Sequence, residues 1–162
     1  MLIAKDEWER KIFTEFATAA NMLIDPGSVV SGTPPQPDIL FSTSGQAACV
    51  ELVEITDQGL AKNHMKSLKT GRVSGGFFSQ EQPLETALFG KARKTYRTQG
   101  APLDLVAYYD KQFPAVSVEP DLIQNTIGAV AAGMVDSGVW RRIWVYDSWS
   151  KSILWVHPSQ RT

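Results

Sequence analysis

Two hydrophobic periods alternate along the chain. From Asp6 to Met22, and on to Leu23, the apolar residues Trp8, Ile12, Phe16, Ala19 and Leu23 recur at helical spacing. That predicts an amphipathic helix capped by Asp6 and stopped by Asp25-Pro26-Gly27. Glu15 projects near the middle of the apolar stripe and Glu9 near its edge. An acid so placed can reach a site beneath the helix. A place on the boundary is the expectation, because an unpaired buried acid is costly. Ser28 to Ser31 reads as a short strand. The proline-rich loop 32–37 cannot be regular structure, and it leads straight into Asp38.

The period then changes to two. Ile39–Thr43 and residues 47–56 are β-branched and apolar, and Ser44-Gly45 between them is turn chemistry. If those two residues form the loop, Thr43 pairs with Gln46. Counting outward, Asp38 lies directly opposite Glu51. Opposed residues share a face with Cβ atoms about 4.5–5.5 Å apart, so two carboxylates placed this way repel. A divalent cation between them is one reason to keep such a pair, since Mg²⁺ takes one or two carboxylates and completes its shell with water and phosphate oxygens. The plainer alternative is that Asp38 starts a turn and Glu51 lies on a solvated face. Ile39, Phe41, Val50 and Leu52 share one face of the hairpin; Leu40, Cys49, Val53 and Ile55 share the other. Both faces are apolar, which predicts a central sheet covered on both sides.

Beyond Asp57, a plausible cap, Gly59 to Thr70 reads as a short helix carrying Lys62, Lys66 and Lys69 on one face and ending at Gly71. Residues 73–79, with two glycines beside two phenylalanines, read as a loop that folds over something. Pro83 to Thr98 reads as a second helix, with Leu84, Ala87, Leu88 and Ala92 inward and Arg93, Lys94 and Arg97 largely outward. Leu103 to Tyr109 is a further buried strand closed by Asp110. A helix between two such strands has the form of a crossover. Asp121 to Val135, behind Pro120, reads as a helix of small residues. The tail from Trp140 to His157 reads as a hairpin turning at 147–150. Trp140, Arg142, Trp144 and Tyr146 are placed on one face; Arg141, Ile143, Val145 and Asp147 on the other. Four of the five tryptophans lie in this tail. Exposed, they can stack nucleobases or form a dimer interface. Burial is the expectation, given the apolar area of each ring.

Composition narrows the class. The 162 residues fit a single domain spanning the whole chain, with a core over about 6–110 and a terminal helix and hairpin over 120–157. A net charge of −1 selects no polyanionic partner, but its distribution is uneven. Lys62, Lys66, Lys69, Arg72, Lys91, Arg93, Lys94 and Arg97 fall in one stretch against only Glu81 and Glu85. A local basic patch can hold a polyanion; a solvated helix face reads the same way. Cys49 is the only cysteine, so no internal disulfide forms and a reducing compartment is expected. No apolar run is long enough for a signal peptide or a membrane span, so the expectation is a cytoplasmic protein without a membrane partner.

The order helix, strand, Pro-Asp strand, Glu strand, basic helix, strand resembles the PD-(D/E)XK, or restriction-endonuclease-like, nuclease superfamily over about Glu7 to Asp110. Pro37-Asp38 matches the first half of its signature. Val50-Glu51-Leu52-Val53 matches the second half in the acid, with Val53 where a lysine is usual. The resemblance implies an α/β fold, a central mixed sheet flanked by helices, to which the C-terminal hairpin is added. It implies that Asp38 and Glu51 hold Mg²⁺ or Mn²⁺. It also implies a basic group, which divergent members draw from the following helix. Lys91 and Lys94 are the candidates here, and Lys94 is the one assigned to the site. A further acid comes from the first helix, Glu15 or Glu9, with Glu15 assigned. Glu54 is the alternative strand acid, with Thr56 in the lysine's position, but it points to the other face of a regular strand. Lys62, Lys66, Lys69, Arg93 and Arg97 would track a nucleic-acid backbone, DNA in preference to RNA, with binding that weakens in salt. Hydrolysis of DNA phosphodiesters is thus one expectation. Val53 favours a rival, a nuclease-like fold without catalysis that binds nucleic acid or protein. A third reading is an interaction protein that forms a homodimer through the tryptophan-rich hairpin.

Overall fold

A computed structural model describes residues 3–55, 83–110 and 120–159. The expected helix at 59–70 with Lys62, Lys66 and Lys69, residue Arg72, and the loop at 73–79 lie outside the described residues.

Helix α1 (Lys5–Ala19) buries Ile12, Phe13, Phe16 and Ala17. Its N-cap is Ala4 without a side-chain cap, so Asp6 is not the cap; it lies in the first turn, where a negative charge still complements the helix dipole. The helix also stops earlier than Asp25-Pro26-Gly27 suggested. Asn21 adopts φ 55°, and Met22 N–H donates to the Ala17 carbonyl at 2.9 Å, a left-handed closure that needs no glycine. Asp25 has another task. Its carboxylate accepts the N–H groups of Ser44 and Gly45 and the Ser42 hydroxyl. It therefore clamps the hairpin turn from outside.

Strands β1 (Val30–Ser31), β2 (Ile39–Thr43), β3 (Gln46–Glu54), β4 (Leu103–Tyr109), β5 (Arg142–Asp147) and β6 (Ser152–His157) form one sheet in sequential order. The β2–β3 register is Thr43 to Gln46 through Ile39 to Val50, as the two-residue loop requires. Ser44 and Gly45 have φ of 50° and 77°, the paired left-handed residues of a tight hairpin turn. Strands β3–β4 and β4–β5 are parallel; the outer pairs are antiparallel. The fold is therefore α/β, a mixed six-stranded sheet with three described helices. Helices α2 (Pro83–Ala92) and α3 (Pro120–Asp136) complete the set.

Two cores flank the sheet. On one face α1 packs Phe13 and Phe16 against Ile39, Phe41, Val50, Leu52, Val106, Trp144 and Tyr146. On the other, Leu84 and Leu88 of α2 and Ile123 and Ile127 of α3 cover Cys49, Leu105, Ala107, Ile143 and Val145. Strand residues that are apolar on both faces thus report a sheet covered on both sides.

Other expectations change as well. Helix α2 ends at Ala92 and not at Thr98. Beyond it Tyr96 turns in to meet Trp140 edge-on at 5.5 Å, and Arg97 N–H donates to the Pro35 carbonyl at 2.9 Å. These contacts replace another helical turn whose exposed residues had little to bury. Trp140 belongs to the core beneath α2 and α3, opposite Trp144 and Tyr146, because it precedes β5 and escapes the alternation. The tryptophans also divide: Trp140 and Trp144 are buried, Trp155 is half-buried, and Trp149 at the hairpin tip is 65% exposed. A β-bulge at Val145/Tyr146 interrupts the β5–β6 ladder. Among the described residues no helix is long and apolar enough to cross a membrane.

Candidate functional site

The site grows from the open end of the β2–β3 hairpin. One step beyond the last paired residues, Ile39 and Val50, the backbone ladder gives way to side chains. Asp38 N–H donates to Glu51 Oε1 at 3.0 Å, and Leu52 N–H donates to Asp38 Oδ2 at 2.9 Å. Each carboxylate completes the hydrogen bonding of the opposite strand, which brings the two acids together. Glu51 is 4% exposed and faces the α2 side of the sheet.

A cation closes the arrangement. Lys91 Nζ donates to Glu51 Oε2 at 2.9 Å, an ion pair whose side chains are 17% and 5% exposed. Leu84, Leu88 and Lys91 fall at successive core-facing positions of α2, so the same periodicity that buries the leucines delivers the ammonium. Both Glu51 oxygens are therefore engaged. Tyr96 stands over the pair. Its hydroxyl is buried without a well-formed hydrogen bond among the described residues, yet it lies close enough to Glu51 to feel that charge.

The electrostatics follow from this crowding. Burial pushes the Asp38 carboxyl up to about 7, helped by its hydrogen bond to Glu51 and that residue's negative charge. Burial also pushes Glu51 up, but the hydrogen bonds from Asp38 and Lys91, the nearby Tyr96 hydroxyl and the Lys91 charge outweigh it and hold the carboxyl below its usual range. The two acids are thus pushed apart in acidity, Asp38 towards its neutral form and Glu51 towards its charged one. Burial and then Glu51 raise the Tyr96 phenol above its ordinary value. Glu9 adds a smaller repulsion that also raises Asp38; its own carboxylate meets Lys5 at 3.4 Å.

Other assigned residues lie elsewhere. Glu15 does not approach Asp38. It sits on α1, across the sheet, 4.0 Å from Lys151 and near the Tyr146 hydroxyl. Glu9, one and a half turns earlier, is the α1 acid whose charge reaches the site. Lys94 is exposed just past the end of α2, so Lys91 is the lysine that reaches Glu51. Had the helix run to Thr98, both lysines would have been admissible. Arg93 and Arg97 are exposed on the same segment, and Glu54 points to the α1 side near Tyr108, as a regular strand requires. Tyr96 was missed, because within a helix reaching Thr98 it had no reason to face the hairpin.

Two hard carboxylates on one face suit Mg²⁺ or Mn²⁺. Either a proton or a cation would relieve the repulsion between them. Among the described residues no group of three or more His, Cys, Asp or Glu is placed to hold a metal ion. Among the described residues, Asp38 and Glu51 would be the pair available to a metal, with water and phosphate able to fill further positions. No protein-family model, curated protein or solved structure matches the chain.

Proposed function

We propose that the protein is a divalent-metal-dependent nuclease of the PD-(D/E)XK kind that hydrolyses phosphodiester bonds of DNA. One observation carries this reading: Asp38, Glu51 and Lys91 converge, with Nζ 2.9 Å from Glu51 Oε2, although β3 has Val53 where a lysine is usual. Two acids and a lysine are thus assembled from a hairpin and the helix of the crossover. Asp38 and Glu51 would hold Mg²⁺ or Mn²⁺, which when bound lowers the pKa of water and neutralises charge at phosphorus. Lys91 would orient the nucleophile or hold a non-bridging phosphate oxygen. Arg93, Lys94 and Arg97, exposed beside the site, would follow the backbone of the nucleic acid. A reducing, cytoplasmic setting belongs to the same reading.

The test is Mn²⁺ calorimetry on wild type, Asp38→Ala and Glu51→Ala, followed by cleavage of plasmid and oligonucleotides. Binding and cleavage in wild type, lost in both folded variants, is the expected result. No Mn²⁺ binding by wild type at millimolar metal would sink the proposal.

A second reading, a nuclease-like scaffold that binds nucleic acid or protein without cutting, draws on the same contacts. The Lys91 ammonium already offsets one of the like charges and burial favours a neutral Asp38, so the pair can persist without a metal. Homodimerisation through the terminal hairpin would suit this scaffold, since β6 is the sheet's last strand and Trp149 at its turn is exposed.

A further inference from the structure

Each Glu51 oxygen already has a partner. Oε1 accepts the Asp38 N–H at 3.0 Å and Oε2 accepts Lys91 Nζ at 2.9 Å. The first contact belongs to the hairpin, whose register and clamped turn hold the Asp38 backbone in place. The second ends a four-carbon side chain from the penultimate residue of α2, and residues beyond Ala92 leave the helix. A divalent ion at Glu51 would repel the ammonium beside it, and Lys91 can give way more readily than the hairpin can open.

Resting on the reading of Asp38 and Glu51 as metal ligands, we infer that Lys91 is a tethered stand-in for the cation. Its ammonium occupies Glu51 Oε2 until a divalent ion claims that oxygen, and only then becomes free to contact a phosphate. Metal loading and exposure of the phosphate-binding lysine are thus one event. A site without metal keeps its ammonium to itself and holds nucleic acid less tightly, whereas a loaded site presents it. The same exchange taxes metal affinity: if Oε2 is free about a tenth of the time, the apparent Kd is about tenfold weaker than that of the open site.

The arrangement gives an internal reference for the test. Lys94 is exposed three residues past Lys91 and makes no contact with Glu51 in the structure. Wild-type protein is reacted with a small amine-acylating reagent at fixed pH, with and without Mg²⁺, and modification at Lys91 and Lys94 is followed by mass spectrometry. In parallel, Mg²⁺ affinity is measured for wild type and Lys91→Met. The expected result is slow modification of Lys91 without Mg²⁺, a rate approaching that of Lys94 with it, and a Kd about tenfold lower in Lys91→Met. The labelling needs no variant, so a Lys91→Met chain that fails to fold leaves the test intact. Mg²⁺ binding by wild type with Lys91 still protected overturns the exchange and spares the metal site. Absence of Mg²⁺ binding in both wild type and folded Lys91→Met overturns both.

Discussion

Glu51 accepts the N–H of Asp38 at 3.0 Å, while Asp38 accepts the N–H of Leu52, the residue after Glu51, at 2.9 Å. The two acids are laced into each other's strand, and neither can leave without freeing a backbone donor. This makes the pair a structural feature as well as a chemical one, and its protonation is felt by the whole fold.

Stability should therefore depend on pH in a set direction. Asp38 is raised to about 7 in the folded protein, against about 3.9 unfolded. Its contribution is full below about pH 4 and is lost as pH rises through about 7. Glu51 is lowered, so its contribution is present above about pH 4.3 and is lost as pH falls further. The melting temperature should peak in mildly acidic buffer and decline towards pH 8. The alkaline decline is worth about 1–2 kcal/mol after solvent screening of a partly exposed carboxyl. Asp38→Asn should flatten it. Thermal melts of both proteins from pH 4 to 8 check this, and a parallel decline in the variant would contradict it.

If Asp38 is a metal ligand, its proton competes with the cation. Mn²⁺ affinity should rise by up to about tenfold per pH unit below neutrality and level off above it. Calorimetry at pH 6 and pH 8 measures the difference. A Kd independent of pH would remove Asp38 from the ligand set.

Two tryptophans of the terminal hairpin should behave oppositely. Trp144 is 1% exposed and meets the Phe16 ring edge-on at 5.1 Å. Trp144→Ala should cost about 3–5 kcal/mol through the cavity it leaves. Trp149, 65% exposed, should be replaceable by alanine with a change within about 0.5 kcal/mol. Urea titrations measure both. Light scattering on wild type and Trp149→Ala tests the dimer, and a monomer in both would end that idea.

Among the described residues Asp104 is the second buried acid, at 0% exposure. It accepts Arg141 Nε at 2.8 Å, Arg141 Nη2 at 3.2 Å and Trp144 Nε1 at 3.0 Å. Removing it strands a buried indole N–H and a half-exposed guanidinium. Asp104→Ala should cost about 2–4 kcal/mol and leave Mn²⁺ binding unchanged, since Asp104 lies on the α1 side of the sheet. Denaturation and calorimetry on one preparation separate the two effects.

The sequence made the hairpin legible because its loop is two residues long. Once Ser44-Gly45 is the turn, every partner follows by counting, including Asp38 opposite Glu51. The two-sided burial of the central strands was equally readable from residues apolar on both faces. What eluded the sequence were choices settled by tertiary contact. Lys91 and Lys94 are one turn apart on an ideal helix, and only the early end of α2 separates them. That end depends on Tyr96 finding Trp140, a contact between residues 44 positions apart. Glu15 was drawn towards the site by its place in the apolar stripe, but the stripe faces the other side of the sheet. Asp104, in a strand otherwise apolar, had its partner in Arg141, 37 residues away.

The acids and the lysine are brought together by loops of very different length. Asp38 and Glu51 are 13 residues apart and joined by a tight turn, whereas Lys91 lies 40 residues beyond Glu51. The hairpin closes a short loop and the crossover a long one, so the local pairing is entropically the cheaper step. A hairpin that forms before the crossover packs would carry its two carboxylates without their ammonium. A proton, or an added divalent cation, can take that place in the meantime. The charge balance that Lys91 completes in the finished fold would thus leave the early hairpin sensitive to pH and to divalent ions, a dependence that refolding rates measured across pH would read.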